Sequence, residues 1–156
     1  MAKSVKAGIN MAGFMKKWFT PSTVWYNQLG SKLTLLSVDE DKGSFIGKYY
    51  SAVGNAENEY DLSGRYDTDG RTLGWVVSYK NSCHNAHSTC AWSGQIEFAE
   101  DTMENPIILT TWLLTRQTTP DKDWDSTEVG FDNFSTFQPS EDDIRLAKLR
   151  KQRSHP

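Results

Sequence analysis

Several predicted strands place small polar side chains on the same face as large aromatic rings. Ser88 and Cys90 alternate with Trp92, and Thr110 alternates with Trp112, so each set points to one side of its strand. A dry core does not hold hydroxyl groups among tryptophans unless hydrogen-bonding partners satisfy them. This mixture predicts a cavity lined by rings and tipped with polar groups, which is typical of a small-molecule binding site.

Nucleophilic catalysis would need a nucleophile with an activating base within hydrogen-bond reach. Ser88 next to His87 is the candidate pair in this sequence. Adjacent side chains on a strand point to opposite faces, so this histidine cannot activate that serine. We therefore expect a binding protein and not an enzyme.

The segment from Cys83 to Cys90 contains two cysteines and two histidines within eight residues. Common zinc sites separate their ligand pairs by a longer loop, so this spacing argues against a metal site. A disulfide between the two cysteines is an alternative, but the two positions are not naturally opposite in a hairpin. We expect two free thiols, no metal and no cofactor.

The elements that position these side chains are short strands separated by turn residues. Apolar residues with helical spacing are missing from the interior of the sequence, whereas glycine, proline, asparagine and aspartate recur where the chain must reverse. The predicted strands span residues 24–29, 32–38, 44–51, 60–66, 72–80, 87–98, 106–116 and 124–134. Short connections favour antiparallel neighbours, so we predict an all-β fold, an eight-stranded antiparallel up-and-down β-barrel.

The two ends of the sequence differ from this central part. We expect residues 1–20 to form a flexible N-terminal extension, residues 21–138 to form the barrel domain and residues 139–156 to form a tail. The tail can contain a short helix, because Ser140 is a suitable N-cap and acidic residues follow it. No signal peptide is readable at the N-terminus, since its longest apolar run is short and broken by Gly13.

Composition excludes two classes of partner. The formal net charge is −3, with 17 lysines and arginines against 20 acidic residues, which argues against a nucleic-acid partner. No stretch approaches the roughly 20 apolar residues of a membrane span.

Six strings of residues resemble the avidin and streptavidin family. They are residues 25–31, 51–57, 62–67, 85–88, 92–95 and 112–115, and the likeness extends over about residues 24–140. The resemblance implies an eight-stranded barrel that binds biotin non-covalently and with high affinity. It also implies a homotetramer, with a dimer as the alternative, and an extracellular location. A drift within the family toward another small cyclic ligand is the second reading.

The resemblance also implies a role for each polar side chain. Asn27, Ser31 and Tyr49 would donate hydrogen bonds to the ureido oxygen of biotin, while Asp132 and Ser51 would accept from its two N–H groups. The remaining contacts would be rings, apolar side chains, a position near the ligand's sulfur and two groups near its carboxylate. The rings would be Tyr79, Trp92, Trp112 and, from a neighbouring subunit, Trp124, and the apolar side chains would be Leu29, Val53 and Leu114. Cys90 would lie near the sulfur, and Asn55 and Ser88 would lie near the carboxylate.

A few positions depart from the family pattern. Tyr79 stands where tryptophan is found and Cys90 where threonine is found, which predicts a modest loss of affinity for biotin. Arg116 and Glu128 both have inward alternation near the mouth of the barrel, so we predict an ion pair there. Phe131 adds apolar surface at a position of subunit contact, which should strengthen association.

Overall fold

Eight strands pair in chain order and close into a barrel. This is seen in a computed structural model of the chain, which describes residues 10–52, 58–99 and 101–150. The strands are β1 (Val24–Asn27), β2 (Lys32–Asp39), β3 (Ser44–Tyr50), β4 (Glu59–Tyr66), β5 (Thr72–Lys80), β6 (Asn85–Glu97), β7 (Ile107–Arg116) and β8 (Thr127–Ser135). Every neighbouring pair is antiparallel, and β1 pairs with β8 to complete the ring. The predicted all-β up-and-down barrel is therefore confirmed.

The alternation of the strands decides which side chains fill the barrel. In β5, Leu73, Trp75, Val77 and Tyr79 are buried, whereas the residues between them are half-buried or exposed. Gly64 on β4 also faces inward, and a Cβ built there would lie 2.3 Å from Cζ of Phe45. The missing side chain thus leaves room for a phenylalanine ring that belongs to the core.

The N-terminal segment differs from the flexible extension that we predict for residues 1–20. Residues Met11–Trp18 form helix α1, and Met11, Phe14 and Met15 are buried. Phe14 stacks on Phe98 with ring centroids 4.5 Å apart. The expectation is therefore wrong for α1. Gly13 and the lysines interrupt the apolar pattern in the sequence, and the apolar face of the helix is buried because it covers one end of the barrel.

Helix α1 covers the barrel end opposite the β1–β2 turn. Phe19 follows it and packs edge-on against Phe45, at a centroid distance of 4.9 Å. The Trp18 indole donates to the Met103 carbonyl at 2.6 Å, and the Trp25 indole donates to the Trp18 carbonyl at 3.2 Å. These contacts join the helix to β1 and to the β6–β7 connection, so one end of the barrel is closed.

The C-terminal helix α2 (Glu141–Leu149) agrees with the predicted helix start. The Ser140 hydroxyl accepts from the Asp143 backbone N–H at 3.1 Å, as an N-cap does. Its Ile144 side chain lies over Gly30, where a Cβ would approach Cδ1 to 2.9 Å. Gly30 also adopts a φ of +85°, a conformation that glycine accepts without strain.

Trp124 lies in a helical turn before the last strand. A short 3₁₀ segment spans Pro120–Asp125, and β8 begins only at Thr127. The predicted start of this strand at residue 124 is therefore wrong, because Pro120 and the acidic residues after it favour a helical turn. Among the described residues, the helices are too short and too polar to cross a membrane.

Phe14→Ala tests whether α1 is part of the core. We expect the free energy of unfolding to fall by about 3–5 kcal/mol, as for other buried phenylalanines replaced by alanine. Lys16→Ala, at an exposed position of the same helix, should change it by less than about 0.5 kcal/mol. Urea unfolding followed by tryptophan fluorescence measures both, and equal values for the two variants would show that α1 contributes no core packing.

Candidate functional site

The side chain of Asn27 is held in one orientation at the end of β1. Its Oδ1 atom accepts from the backbone N–H groups of Leu29 at 3.0 Å and Ser31 at 2.9 Å. Its Nδ2 atom is buried and has no hydrogen-bond partner among the described residues. Because Oδ1 is committed to the turn, Asn27 presents an amide donor to the barrel interior.

Ser31 is a second donor beside it. Its Oγ atom accepts from the Ala52 backbone N–H at 3.0 Å, so the hydroxyl hydrogen remains available to another acceptor. The side chain is fully buried and lies in the turn between β1 and β2. Asn27 therefore holds the backbone N–H of Ser31, and Ala52 holds its hydroxyl oxygen.

Two tyrosine hydroxyls are buried in the same region. The Oη atoms of Tyr49 and Tyr79 form no hydrogen bond of standard geometry within the described part of the chain. Burial raises the pKa of Tyr49 well above its usual value, and burial likewise raises the pKa of Tyr79, with smaller contributions from the Asp132 carboxylate. The Ser31 hydroxyl lies close enough to Tyr49 to oppose that increase in part. Both phenols are thus neutral donors at physiological pH.

Asp132 supplies the acceptor of the site. Its Oδ1 atom accepts from the Gln28 amide at 3.0 Å, and its Oδ2 atom accepts from the Trp92 indole at 3.0 Å. Its backbone carbonyl accepts from the Thr110 hydroxyl at 3.0 Å. A carboxylate offers about four lone-pair positions, so Asp132 can accept hydrogen bonds from several donors at once.

Aromatic rings surround these polar groups. Trp92 stacks on Trp75 at a centroid distance of 5.7 Å, and Tyr49 lies 5.0 Å from Trp92 and 6.5 Å from Tyr79. The other predicted contact residues on the inner faces are also buried. They are Leu29, Cys90, Trp112 and Leu114.

Ser51, Ser88 and Trp124 are the remaining predicted residues that the structure describes. Ser51 is buried just after β3, and Ser88 is half-buried on β6. Val53 and Asn55 lie outside the described residues. Trp124 is 84% exposed, so in this chain it is not part of the pocket. Its predicted contact is with the ligand of a neighbouring subunit, and this stays a prediction.

The predicted ion pair at the mouth is present. The Arg116 guanidinium donates to Oε1 of Glu128 at 2.8 Å. Each side chain is between one third and two fifths exposed, so the pair contributes at most about 1 kcal/mol to stability.

The pattern of the sequence misses one residue of the site, Gln28. Its amide bridges two positions of β8, because Nε2 donates to Asp132 while Oε1 accepts from the Asn133 backbone N–H at 3.0 Å. The predicted strand over residues 24–29 contains Gln28, but β1 ends at Asn27, so strand alternation does not determine the direction of Gln28. The signal that could have identified it is the β1–β8 register, in which Asn27 lies opposite Phe134.

The arrangement combines hydrogen-bond donors on one side with an acceptor on the other. It has no nucleophile–base pair built from the predicted site residues, and no group of three metal-ligating side chains occurs within the described residues. Both cysteines are free, as predicted from their spacing. The site can hold a neutral polar ring by hydrogen bonds and aromatic contacts.

Known proteins resemble this chain over the whole of the barrel. A sequence model of the avidin family matches residues 15–137. The chain belongs to the avidin family. Avidin-related protein 4/5 of Gallus gallus is 31% identical over 118 residues, which are 71% of this chain and 73% of that protein. Avidin-related protein 7 of the same organism has the same identity and coverage. The family match begins within α1, so it includes the whole barrel.

The thiols of this avidin-family chain should differ in reactivity. Cys83 is exposed, whereas Cys90 is buried and its pKa is raised, mainly by burial and also by the Asp132 carboxylate. A raised pKa keeps the thiol protonated and therefore a weak nucleophile. We expect Ellman's reagent to modify one thiol per native chain and two per denatured chain. Rapid modification of both thiols in the native protein would contradict the burial of Cys90.

Proposed function

We propose that this chain binds free biotin non-covalently and with high affinity in the interior of its barrel. The observation that carries the proposal is the buried Asn27 Nδ2 donor, which has no hydrogen-bond partner among the described residues, together with the buried Tyr49 hydroxyl, which forms no hydrogen bond of standard geometry there. They belong to the same pocket as the Asp132 carboxylate, which contributes to the raised pKa of Tyr49.

The chemistry of a cyclic urea complements this set of groups. A ureido oxygen accepts several hydrogen bonds at once, and Asn27, Ser31 and Tyr49 are three donors available to it. A ureido N–H needs an acceptor, and Asp132 offers one on the other side. Ser51 is the acceptor that we assign to the second N–H. Donors that converge on one carbonyl oxygen polarise it toward an oxyanion, which strengthens each bond.

The orientation of the donors favours the binding of such a ligand. A buried donor without a partner costs about 1–3 kcal/mol, because it has lost its hydrogen bonds to water. Asn27 is already oriented by two backbone N–H groups, so binding does not have to order its side chain. A ligand that brings an acceptor to these donors therefore gains their hydrogen bonds at a low cost in side-chain entropy.

The rings and the thiol set the remaining part of the affinity. Trp92 and Trp112 offer flat apolar walls for a bicyclic ring. Tyr79 offers less area than a tryptophan, and Cys90 is only a weak donor toward a thioether. We propose that these two positions lower the affinity modestly without abolishing binding.

We also propose that the chain assembles as a homotetramer. Support comes from apolar side chains on the outer faces of β7 and β8, where Leu113 is 50%, Val129 57% and Phe131 75% exposed. Exposed apolar residues that are adjacent on one surface are typical of a subunit interface. Trp124, exposed beside the mouth, would then contact the pocket of a neighbouring subunit.

Tyr49→Phe separates the ligand role of this hydroxyl from a structural role. The variant should bind biotin about 10- to 100-fold more weakly, since the ureido oxygen loses a donor. Its melting temperature without ligand should be unchanged or higher, because a buried donor without a partner has been removed. Calorimetric titration with biotin and a thermal melt measure the two effects.

Tyr66→Phe is the matched control for that variant. Tyr66 ends β4 at the closed end of the barrel, near Phe19 and away from the pocket. The control should bind biotin as the parent does. If the parent protein itself shows no heat of binding with biotin, the proposed function is wrong and a different cyclic ligand becomes the candidate.

Phe131→Glu tests the proposed assembly. A charge placed in an apolar subunit interface should reduce the molar mass measured by light scattering to that of a dimer or a monomer. Glu141→Gln, at an exposed position of α2, serves as the control and should keep the parent mass. A monomeric parent protein, with or without biotin, would exclude the tetramer.

A further inference from the structure

The Tyr79 hydroxyl is a buried donor that the proposed ureido contacts do not use. Tyr79 lies on the inner face of β5 and is 3% exposed. Its Oη atom forms no hydrogen bond of standard geometry with the residues that the structure describes. Buried polar groups in proteins are normally hydrogen-bonded, so this phenol is suited to an acceptor that a ligand brings into the barrel.

Cys90 lies beside this hydroxyl group on the next strand. In the β5–β6 register it pairs with Val77, two residues before Tyr79, and alternate residues of a strand share a face. Burial raises the pKa of Tyr79, and among the neighbouring groups Cys90 contributes most to the further increase, ahead of Asp132. Tyr79 and Cys90 therefore form one small polar area of the inner wall, the β5–β6 patch, in which the hydroxyl is the stronger donor.

The β5–β6 patch faces the proposed ureido donors across the barrel. The strands pair in chain order around a closed ring of eight, so β5 is four strands from β1 in either direction. Asn27 ends β1, and Ser31 lies in the turn that follows. A bicyclic ligand whose carbonyl oxygen binds on the β1 side directs the opposite edge of its ring system toward the β5–β6 patch. In biotin, that edge carries the thioether sulfur.

The oxidation state of this sulfur decides whether the Tyr79 hydroxyl has an acceptor. A thioether sulfur is only a weak acceptor. The S-oxide of biotin has one additional oxygen atom on the sulfur, which carries a partial negative charge and accepts hydrogen bonds. The ureido group and the tail are the same in both compounds. A neutral phenol on the β5–β6 patch therefore complements the S-oxide better than it complements the thioether.

We propose that the Tyr79 hydroxyl donates a hydrogen bond to an oxygen on the ligand's sulfur, so that the barrel binds the S-oxide of biotin as well as biotin. This inference rests on the proposed function, because the ureido contacts orient the ring. A sulfoxide sulfur is a stereocentre, and its two epimers direct the oxygen to opposite faces of the ring. Tyr79 lies on one side of the pocket, so it favours one epimer over the other.

The test measures the affinities of four ligands by displacement calorimetry: biotin, the two S-oxide epimers, and dethiobiotin, which lacks the sulfur. In the parent protein, one epimer should bind about tenfold more tightly than the other, since it gains one hydrogen bond. Tyr79→Phe should weaken the binding of that epimer about tenfold and remove most of the difference between the epimers. Its affinities for biotin and dethiobiotin should change less than about twofold, because neither ligand brings an acceptor to this hydroxyl.

Tyr66→Phe is again the matched control. It removes the same oxygen atom from a tyrosine at the closed end of the barrel, where Tyr66 packs near Phe19. All four affinities should equal those of the parent protein. Cys90→Ala separates the thiol from the hydroxyl group and should retain the preference between the epimers, since a thiol is only a weak donor.

The outcomes separate this inference from the proposed function. If the parent protein binds neither biotin nor an S-oxide, the proposed function fails, and this inference fails with it. If the parent binds biotin but neither S-oxide, or binds both epimers equally, the role of Tyr79 is excluded while the proposed function stands. A preference that persists in Tyr79→Phe, or that only Cys90→Ala removes, excludes it as well. If Tyr79→Phe does not fold, Tyr79→Leu gives the same comparison, because leucine also lacks a donor.

Discussion

Buried hydrogen-bond donors without partners are the constraint on which this structure depends. Asn27 Nδ2 and the Tyr49 hydroxyl are buried, and the described residues offer neither of them an acceptor of standard geometry. The β1–β2 turn nevertheless fixes the amide by using its oxygen as a double acceptor. The fold thus keeps this amide donor in one orientation, in which a ligand that brings its own carbonyl group can accept from it.

The apolar packing of the rest of the barrel stabilises the fold around these polar groups. Helix α1 and Phe19 fill the far end with apolar side chains, so the polar set lies at the end that opens to solvent. The Trp75–Trp92 stack places a rigid wall behind the pocket, and Trp92 also donates to Asp132. One tryptophan therefore links the packing of the core to the orientation of the acceptor.

Strand alternation predicted most of the barrel and the ion pair at its mouth, whereas the residues of the site were predicted from the resemblance to a family. It placed Trp75 and Tyr79 inside and brought Arg116 toward Glu128, since both follow from a period of two along regular strands. It failed where the chain leaves that period. Helix α1 depends on a surface that only the closed barrel provides, and Gln28 depends on a register between the first and last strands. Trp124 lies in a helical turn that begins at Pro120, and proline favours the first position of such a turn.

The measurement that tests this account most directly is a high-resolution crystal structure of the protein with biotin. The account predicts that Asn27 Nδ2, Ser31 Oγ and Tyr49 Oη each lie about 2.6–3.2 Å from the single ureido oxygen. It also predicts that an Asp132 carboxylate oxygen accepts from a ureido N–H. A bound biotin whose ureido oxygen contacts none of these donors, or an interior filled by the protein's own side chains, would contradict it.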